Sequence, residues 1–142
     1  MKIYYAGALF SLAERNFNTQ LTGLLRLDGH DIFLSQENKK GKISEIFTSN
    51  RDGVKMSQIC LAIVDGSDAD SGTCWEIGYA YAQGKKIVLV RTDFRMLDKW
   101  DDEIRPINLM MYECADEVIE YYGDNISILA SNIDKLLTQM ER

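Results

Sequence analysis

A single proline, a single histidine and three cysteines are what this 142-residue chain has least of. Cys60, Cys74 and Cys114 are odd in number and far apart, and His30 is the only imidazole. No zinc-ligand spacing results, and a disulfide framework is not expected; free, mostly buried thiols in a reducing compartment are the simpler reading. Basic charge is also in short supply: Lys plus Arg number 16 against 22 Asp plus Glu, a formal net charge of -6. A phosphate backbone is drawn to a basic face, and no Lys/Arg block offers one, so polymeric nucleic acid is not an expected partner. No apolar run approaches the roughly 18–20 residues needed to cross a bilayer. The opening segment, Met1 to Gly7, lacks the shape of a secretory signal, with Glu14 and Arg15 close behind it. A cytoplasmic location without membrane association is therefore expected.

Three catalytic or cofactor signatures are missing as well. After the first apolar run the chain reads Ala6-Gly7-Ala8-Leu9-Phe10-Ser11, without the Gly-x-Gly-x-x-Gly rule of dinucleotide sites, and no Walker lysine loop follows. There is no Gly-x-Ser-x-Gly elbow, and His30 in a turn is a poor triad base. Neither a cofactor nor a metal is expected.

What is present is a regular alternation. Ile3 to Ala6 reads as a buried strand, and Leu12, Phe17, Leu21, Leu24 and Leu25 recur at helical spacing up to Asp28-Gly29. Asp31 to Leu34 is a second short strand, Ser35 to Lys42 a polar loop, and Ser44 to Met56 a helix. Ile59 to Val64 is almost wholly apolar, as a central parallel strand buried on both faces should be. A loop over Asp65 to Gly72 leads into a helix over Thr73 to Gln83, and Ile87 to Val90 is the next strand. Thr92 to Pro106 is a long polar connection. A short helix over Ile107 to Cys114, a strand over Val118 to Tyr122 and an amphipathic helix from Asp124 complete the pattern. One domain over residues 1–142 is expected, an α/β fold with a doubly wound parallel sheet of about five strands and helices on both faces. Ligands of such sheets sit at the carboxyl ends of the strands, near a topological switch point. The loops after Ala6, Leu34, Val64 and Val90 open there.

The stretch from Asp65 to Ala82 holds the densest chemistry. A buried strand runs into a loop with three carboxylates and two glycines, then into a helix carrying Glu76. In the first helical turn, unpaired N–H groups and the helix dipole favour an anion, and a carboxylate kept ionised is available as a nucleophile. The same spacing, Thr73-x-x-Glu76, is also a capping box, and spacing alone does not decide between the two. Asp70 reads either as a group in the loop mouth or as an N-cap. Asp52 is either a carboxylate pointing into the same crevice or a solvated residue at a helix end. Gly72 and Gly78 permit close approach of a ligand or of another backbone. Gln36 and Glu37 stand at the correct sheet edge, and Tyr4, Phe10 and Trp75 line the expected crevice. Asp93 and Arg95 form either a lid element or a surface ion pair.

Taken together these segments resemble the nucleoside 2-deoxyribosyltransferase family. The resemblance runs from Lys2-Ile3-Tyr4-Tyr5-Ala6-Gly7 through Asp70-Ser71-Gly72-Thr73-Cys74-Trp75-Glu76-Ile77-Gly78-Tyr79-Ala80 to Arg105-Pro106-Ile107-Asn108-Leu109-Met110. It implies a flavodoxin-like sheet and an enzyme of nucleoside salvage, which exchanges the base of a 2'-deoxyribonucleoside for another purine or pyrimidine. Under it Glu76 corresponds to the nucleophile, Tyr4 to the tyrosine that orients it, and Asp52 to an aspartate that passes a proton to the departing base. Asp70 corresponds to the residue that binds the sugar 5'-hydroxyl. Asn108 and Met110 correspond to a segment that a neighbouring subunit inserts into the site, which implies a homo-oligomer built from dimers, up to a hexamer. Gly7, Phe10 and Gly72 are expected substrate contacts, and Gln36 is the candidate reader of the base. An aspartate at position 70 accepts from a neutral hydroxyl and repels a 5'-phosphate, and Ala8 to Leu12 contains no basic residue. The expected partners are therefore 2'-deoxyribonucleosides and free nucleobases, not nucleotides. The alternatives are an N-glycoside hydrolase using the same intermediate and a non-catalytic nucleoside sensor.

Overall fold

The computed structural model describes residues 1–38, 41–96, 98–100 and 102–141. Residues 39–40 of the expected 35–42 loop, residues 97 and 101 of the expected 92–106 connection, and residue 142 lie outside the described residues. In chain order the elements are β1 (Lys2–Ala6), α1 (Leu12–Leu27), β2 (Asp31–Leu34), a short 3-10 turn (Ser35–Glu37), α2 (Ile43–Met56), β3 (Ile59–Ile63), α3 (Ser71–Ala82), β4 (Lys86–Arg91), β5 (Asp98–Trp100), β6 (Glu103–Arg105), α4 (Leu109–Cys114), β7 (Glu117–Glu120) and α5 (Ile126–Met140). Five strands form one sheet in the order β2-β1-β3-β4-β7, and every adjacent pair is parallel.

The sheet separates two apolar layers because successive side chains of a strand point to opposite faces. Ile3, Tyr5, Ile59, Leu61, Val88 and Val90 pack with Leu21 and Leu25 of α1 and with Leu129, Ile133 and Leu137 of α5. Tyr4, Ala6, Cys60, Ala62, Ile87 and Leu89 pack on the other face with Val54 of α2, Ile77 and Ala80 of α3, and Met111 of α4. Side chains of the Ile and Leu class each contribute roughly 1.5–3 kcal/mol on full burial, so both layers are needed to hold the helices. Of the three free thiols only Cys60 is buried; Cys74 and Cys114 are partly exposed.

β1 is flanked by β2 on one side and by β3 on the other, so the chain reverses its direction of travel across the sheet between them. The loops leaving β1 and β3 diverge at that switch point and leave a crevice at the carboxyl ends. At its rim α1 is closed by a capping box: Ser11 Oγ accepts from Glu14 N at 3.1 Å and Glu14 Oε2 accepts from Ser11 N at 2.7 Å. The long connection after β4 is more ordered than its polar composition suggests. It contains an antiparallel pair, β5 with β6, and Asp102 adopts a left-handed φ of 60°, a conformation that aspartate tolerates better than most residues.

Candidate active site

The site is assembled by the face of the sheet that carries Tyr4. This side chain is fully buried, and its Oη donates to Glu76 Oε1 of α3 at 2.6 Å. Asp70 caps α3: its Oδ2 accepts from Thr73 N at 2.9 Å and from Thr73 Oγ1 at 3.3 Å. The helix therefore begins at Ser71, two residues earlier than the sequence pattern indicates. Glu76 is its sixth residue, in the second turn. The Thr73-x-x-Glu76 capping box does not form, and the expectation that the first-turn N–H groups hold Glu76 as an anion is corrected. Burial instead raises the Glu76 carboxyl to about 7, with a further push from the Asp70 charge, while the Tyr4 hydrogen bond pulls it down. Burial and the neighbouring carboxylate drive the Tyr4 phenol well above its ordinary range, so it remains a donor. A hydroxyl donating to a carboxylate at this distance is a strong, charge-assisted bond.

Glu76 opens on a cavity of about 240 Å3 lined by Phe47 and Asn50 of α2 and by Gly72 and Trp75 of α3. Its rim is aromatic. Phe47 and Trp75 have ring centroids 5.5 Å apart, Trp75 stacks on Tyr79 at 5.1 Å, and Tyr4 stacks on Phe33 at 5.3 Å. Phe47 and Trp75 are each about half exposed, so the cavity is open to a flat ligand. At Gly72 a Cβ atom would lie 3.0 Å from Asp70 Oδ2; the bare backbone keeps the Asp70 carboxylate where it is. Asp70 itself lines a second cavity of about 330 Å3, together with Ala8, Asn18, Asp65, Asp93 and Arg95.

Not every expected residue joins Glu76. Asp52 pairs with its neighbour Arg51 (Nε to Oδ1, 2.9 Å) and lines a separate cavity with Lys2, Asp31 and Phe33 at the amino-terminal end of β1 and β2. The reason is rotation along α2. Asn50 faces Glu76, and a residue two positions on projects about 200° away. The expectation that Asp52 points into the crevice is corrected. Gln36 is also committed elsewhere: its Oε1 accepts from Asn18 Nδ2 at 3.0 Å, and its Nε2 donates to Arg15 O and Thr19 Oγ1. It fastens the turn after β2 to α1. Phe10 points to solvent, 73% exposed. Gly7 sits at the end of β1, where a Cβ would lie 3.5 Å from Ile63 Cβ. Asn108 caps α4 by accepting from Met110 N, and both residues line a groove between α3 and α4, on the side of α3 that bears Cys74 and Tyr81. Asp93 and Arg95 do form an ion pair, and Asp93 Oδ2 also accepts from Gly66 N.

Three residues were not singled out by the sequence pattern. Asn50 shares its helix face with Phe47 and Val54, at the i, i+3, i+7 spacing of an apolar stripe; that spacing was the available signal. Asp65 accepts from Thr92 N at 2.6 Å and from Asp93 N at 3.0 Å. Arg91 is completely buried and donates to the carbonyls of Val64, Asp93 and Arg95. Together these two tie the loops after β3 and β4 into one wall beside Asp70.

A model of the family described as nucleoside 2-deoxyribosyltransferase matches residues 3–110. The chain belongs to that family. A nucleoside deoxyribosyltransferase of Lactobacillus leichmannii is 34% identical to it over 98 residues, covering 68% of this chain and 55% of that protein. This member of the deoxyribosyltransferase family thus spans about half the length of that curated relative. Among solved structures, a conserved protein from Enterococcus faecalis V583 superposes with a TM-score of 0.75 at 26% identity, covering 96% of this chain and 98% of the other. A 2-deoxyribosyltransferase from Bacillus psychrosaccharolyticus superposes with a TM-score of 0.71 at 23% identity, over 92% and 90% of the two chains, and shares the fold. These likenesses bear out the doubly wound parallel sheet and the family resemblance.

Proposed function

We propose that this chain transfers 2-deoxyribose between nucleobases through a covalent intermediate on Glu76. The observation that carries the reading is the buried Tyr4 Oη to Glu76 Oε1 hydrogen bond of 2.6 Å at the wall of an aromatic-rimmed cavity. A carboxylate so held has one oxygen fixed and the other free to attack the anomeric carbon C1'. As the C1'–N bond breaks, its electron pair leaves with the base and the C1'–O bond to Glu76 forms. A second base attacks C1' from the vacated face and expels the carboxylate. Two inversions give net retention, as in retaining glycosidases. Phe47 and Trp75 supply flat faces for the base. Asp70, which lines the second cavity and caps the helix that carries Glu76, accepts from the sugar 5'-hydroxyl and disfavours a phosphate there by like charge.

The large exposed apolar side chains of α2, α3 and α4, among them Phe47, Trp75, Tyr81 and Met110, support association with further copies of the chain. Under this reading the Asn108–Met110 segment of one copy covers the open cavity of another and keeps water from the intermediate. The expected substrates are 2'-deoxyribonucleosides and free nucleobases. No helix among the described residues is long and apolar enough to cross a membrane. The test is to incubate the purified protein with 2'-deoxyinosine, with and without adenine, and to chromatograph the products. Deoxyadenosine formed only with adenine supports transfer. Hypoxanthine and free deoxyribose without a new nucleoside overturn it in favour of hydrolysis.

A further inference from the structure

Among the described residues lining the Glu76 cavity, Glu76 carries the only carboxyl group. With Asp52 turned away, the polar side chain left beside Glu76 is the carboxamide of Asn50. Its Oδ1 is buried and has no hydrogen-bond partner among the described residues. Leaving such an atom unpaired costs about 1–3 kcal/mol, and folded proteins seldom keep one without a use. A carboxamide holds an acceptor oxygen and an N–H donor side by side in one plane. It meets a lactam edge, a ring carbonyl next to a ring N–H, and, turned over, an amino edge as well; what separates the two classes of base is how each departs.

We propose that Asn50 meets the departing base as a hydrogen-bond donor and not as an acid, so that the preferred donors are 2'-deoxynucleosides of oxo bases such as hypoxanthine and uracil, over those of adenine and cytosine. The inference rests on the reading of Glu76 as nucleophile. Its chemical basis is the fate of the electron pair when the C1'–N bond breaks. An oxo base spreads the resulting negative charge onto its carbonyl oxygen, where the Asn50 N–H donates to it; the proton that completes the free base then comes from water. An amino base keeps the charge on ring nitrogens and leaves readily only when an acid protonates it during departure. A carboxamide has no such proton to give.

The experiment measures initial base release from 2'-deoxyinosine, 2'-deoxyuridine, 2'-deoxyadenosine and 2'-deoxycytidine, with excess 5-fluorouracil as common acceptor. It compares the wild type, Asn50→Ala and Asn50→Asp, each checked for native circular dichroism. The wild type is expected to favour the two oxo donors by about tenfold or more in kcat/KM. Asn50→Ala should lower the oxo donors by about tenfold and affect the amino donors much less. Asn50→Asp, which installs an acid, should raise the amino donors relative to the oxo donors and give their release an acidic pH limb that the wild type lacks. Equal use of both donor classes by the wild type, or a donor ratio unmoved in both variants, overturns the proposal while leaving Glu76 chemistry intact. No base release from any donor by the folded wild type overturns the nucleophile reading and this inference with it.

Discussion

Replacing Glu76 with Gln should make the protein more stable, and more so as the pH rises. Burial lifts the Glu76 carboxyl from 4.5 to about 7, and each pH unit of such displacement corresponds to about 1.36 kcal/mol. The sign follows from proton linkage. Between these two values the folded state holds a proton that the unfolded state has released, so stability falls as pH rises through that window. Above about pH 7 the full penalty applies, about 3 kcal/mol at pH 8, against about 1 kcal/mol at pH 5. The glutamine is isosteric, and its Oε1 can still accept from Tyr4, so the variant removes the charge and little else. Urea unfolding at fixed protein concentration provides the assay. With a denaturant slope of about 1–3 kcal/mol per molar, the midpoint of Glu76→Gln should exceed that of the wild type by roughly 1 M or more at pH 8. The gap should narrow markedly at pH 5. A midpoint difference that is the same at both pH values would refute the claim that the cavity desolvates this carboxylate. Such a gain in stability on losing a functional charge is the usual trade between activity and stability at a site.

Three further outcomes follow from the same geometry. Tyr4→Phe removes the hydrogen bond that opposes burial at Glu76; bonds to charged groups contribute about 1.5–3 kcal/mol, so the rising limb of the pH–rate profile should move alkaline by about one to two units, and an unmoved limb would count against the role of Tyr4. Asp70→Ser keeps a competent N-cap for α3, with stability unchanged to within about 0.5 kcal/mol, while turnover of 2'-deoxynucleoside 5'-monophosphates relative to nucleosides should rise; steady-state kinetics on both substrate classes reads this out. Arg91→Met strips the carbonyls of Val64, Asp93 and Arg95 of their donor; the Val64 bond is buried, so leaving that carbonyl unpaired should cost about 1–3 kcal/mol, and the loss should appear as a thermal midpoint lowered by several degrees.

The sheet and its helices were legible because their signals are periodic. Ile59 to Ile63 is apolar throughout and is a central strand, and Leu21, Leu25, Ile133 and Leu137 fall on the faces their spacing indicated. What periodicity could not supply was the rotation and starting point of particular helices. Thr73 and Asp70 are both competent caps, and the choice of Asp70, made by its bond to Thr73 N, moves Glu76 from the first turn into the second. On α2 the apolar stripe is sparse, so Asp52 drew attention by its charge while the neutral Asn50, on the stripe, held the place beside Glu76. The β5–β6 pair was illegible for a different reason. Its strands are three residues long and mostly polar, too short for an alternation to register. Glu76 and Tyr4 lie 72 positions apart, and their pairing follows from the fold alone; the family resemblance joined them before the fold did.

The central claim is that Glu76 carries the sugar between the two bases. It is tested most directly by quenching the enzyme in acid during turnover of 2'-deoxyinosine without an acceptor, then mapping the modified peptide by mass spectrometry. The account predicts a deoxyribosyl ester on Glu76, no adduct in Glu76→Gln, and base exchange by that folded variant reduced on the order of 10^3-fold or more. A sugar adduct on any other residue, or exchange by Glu76→Gln at the wild-type rate, would contradict it.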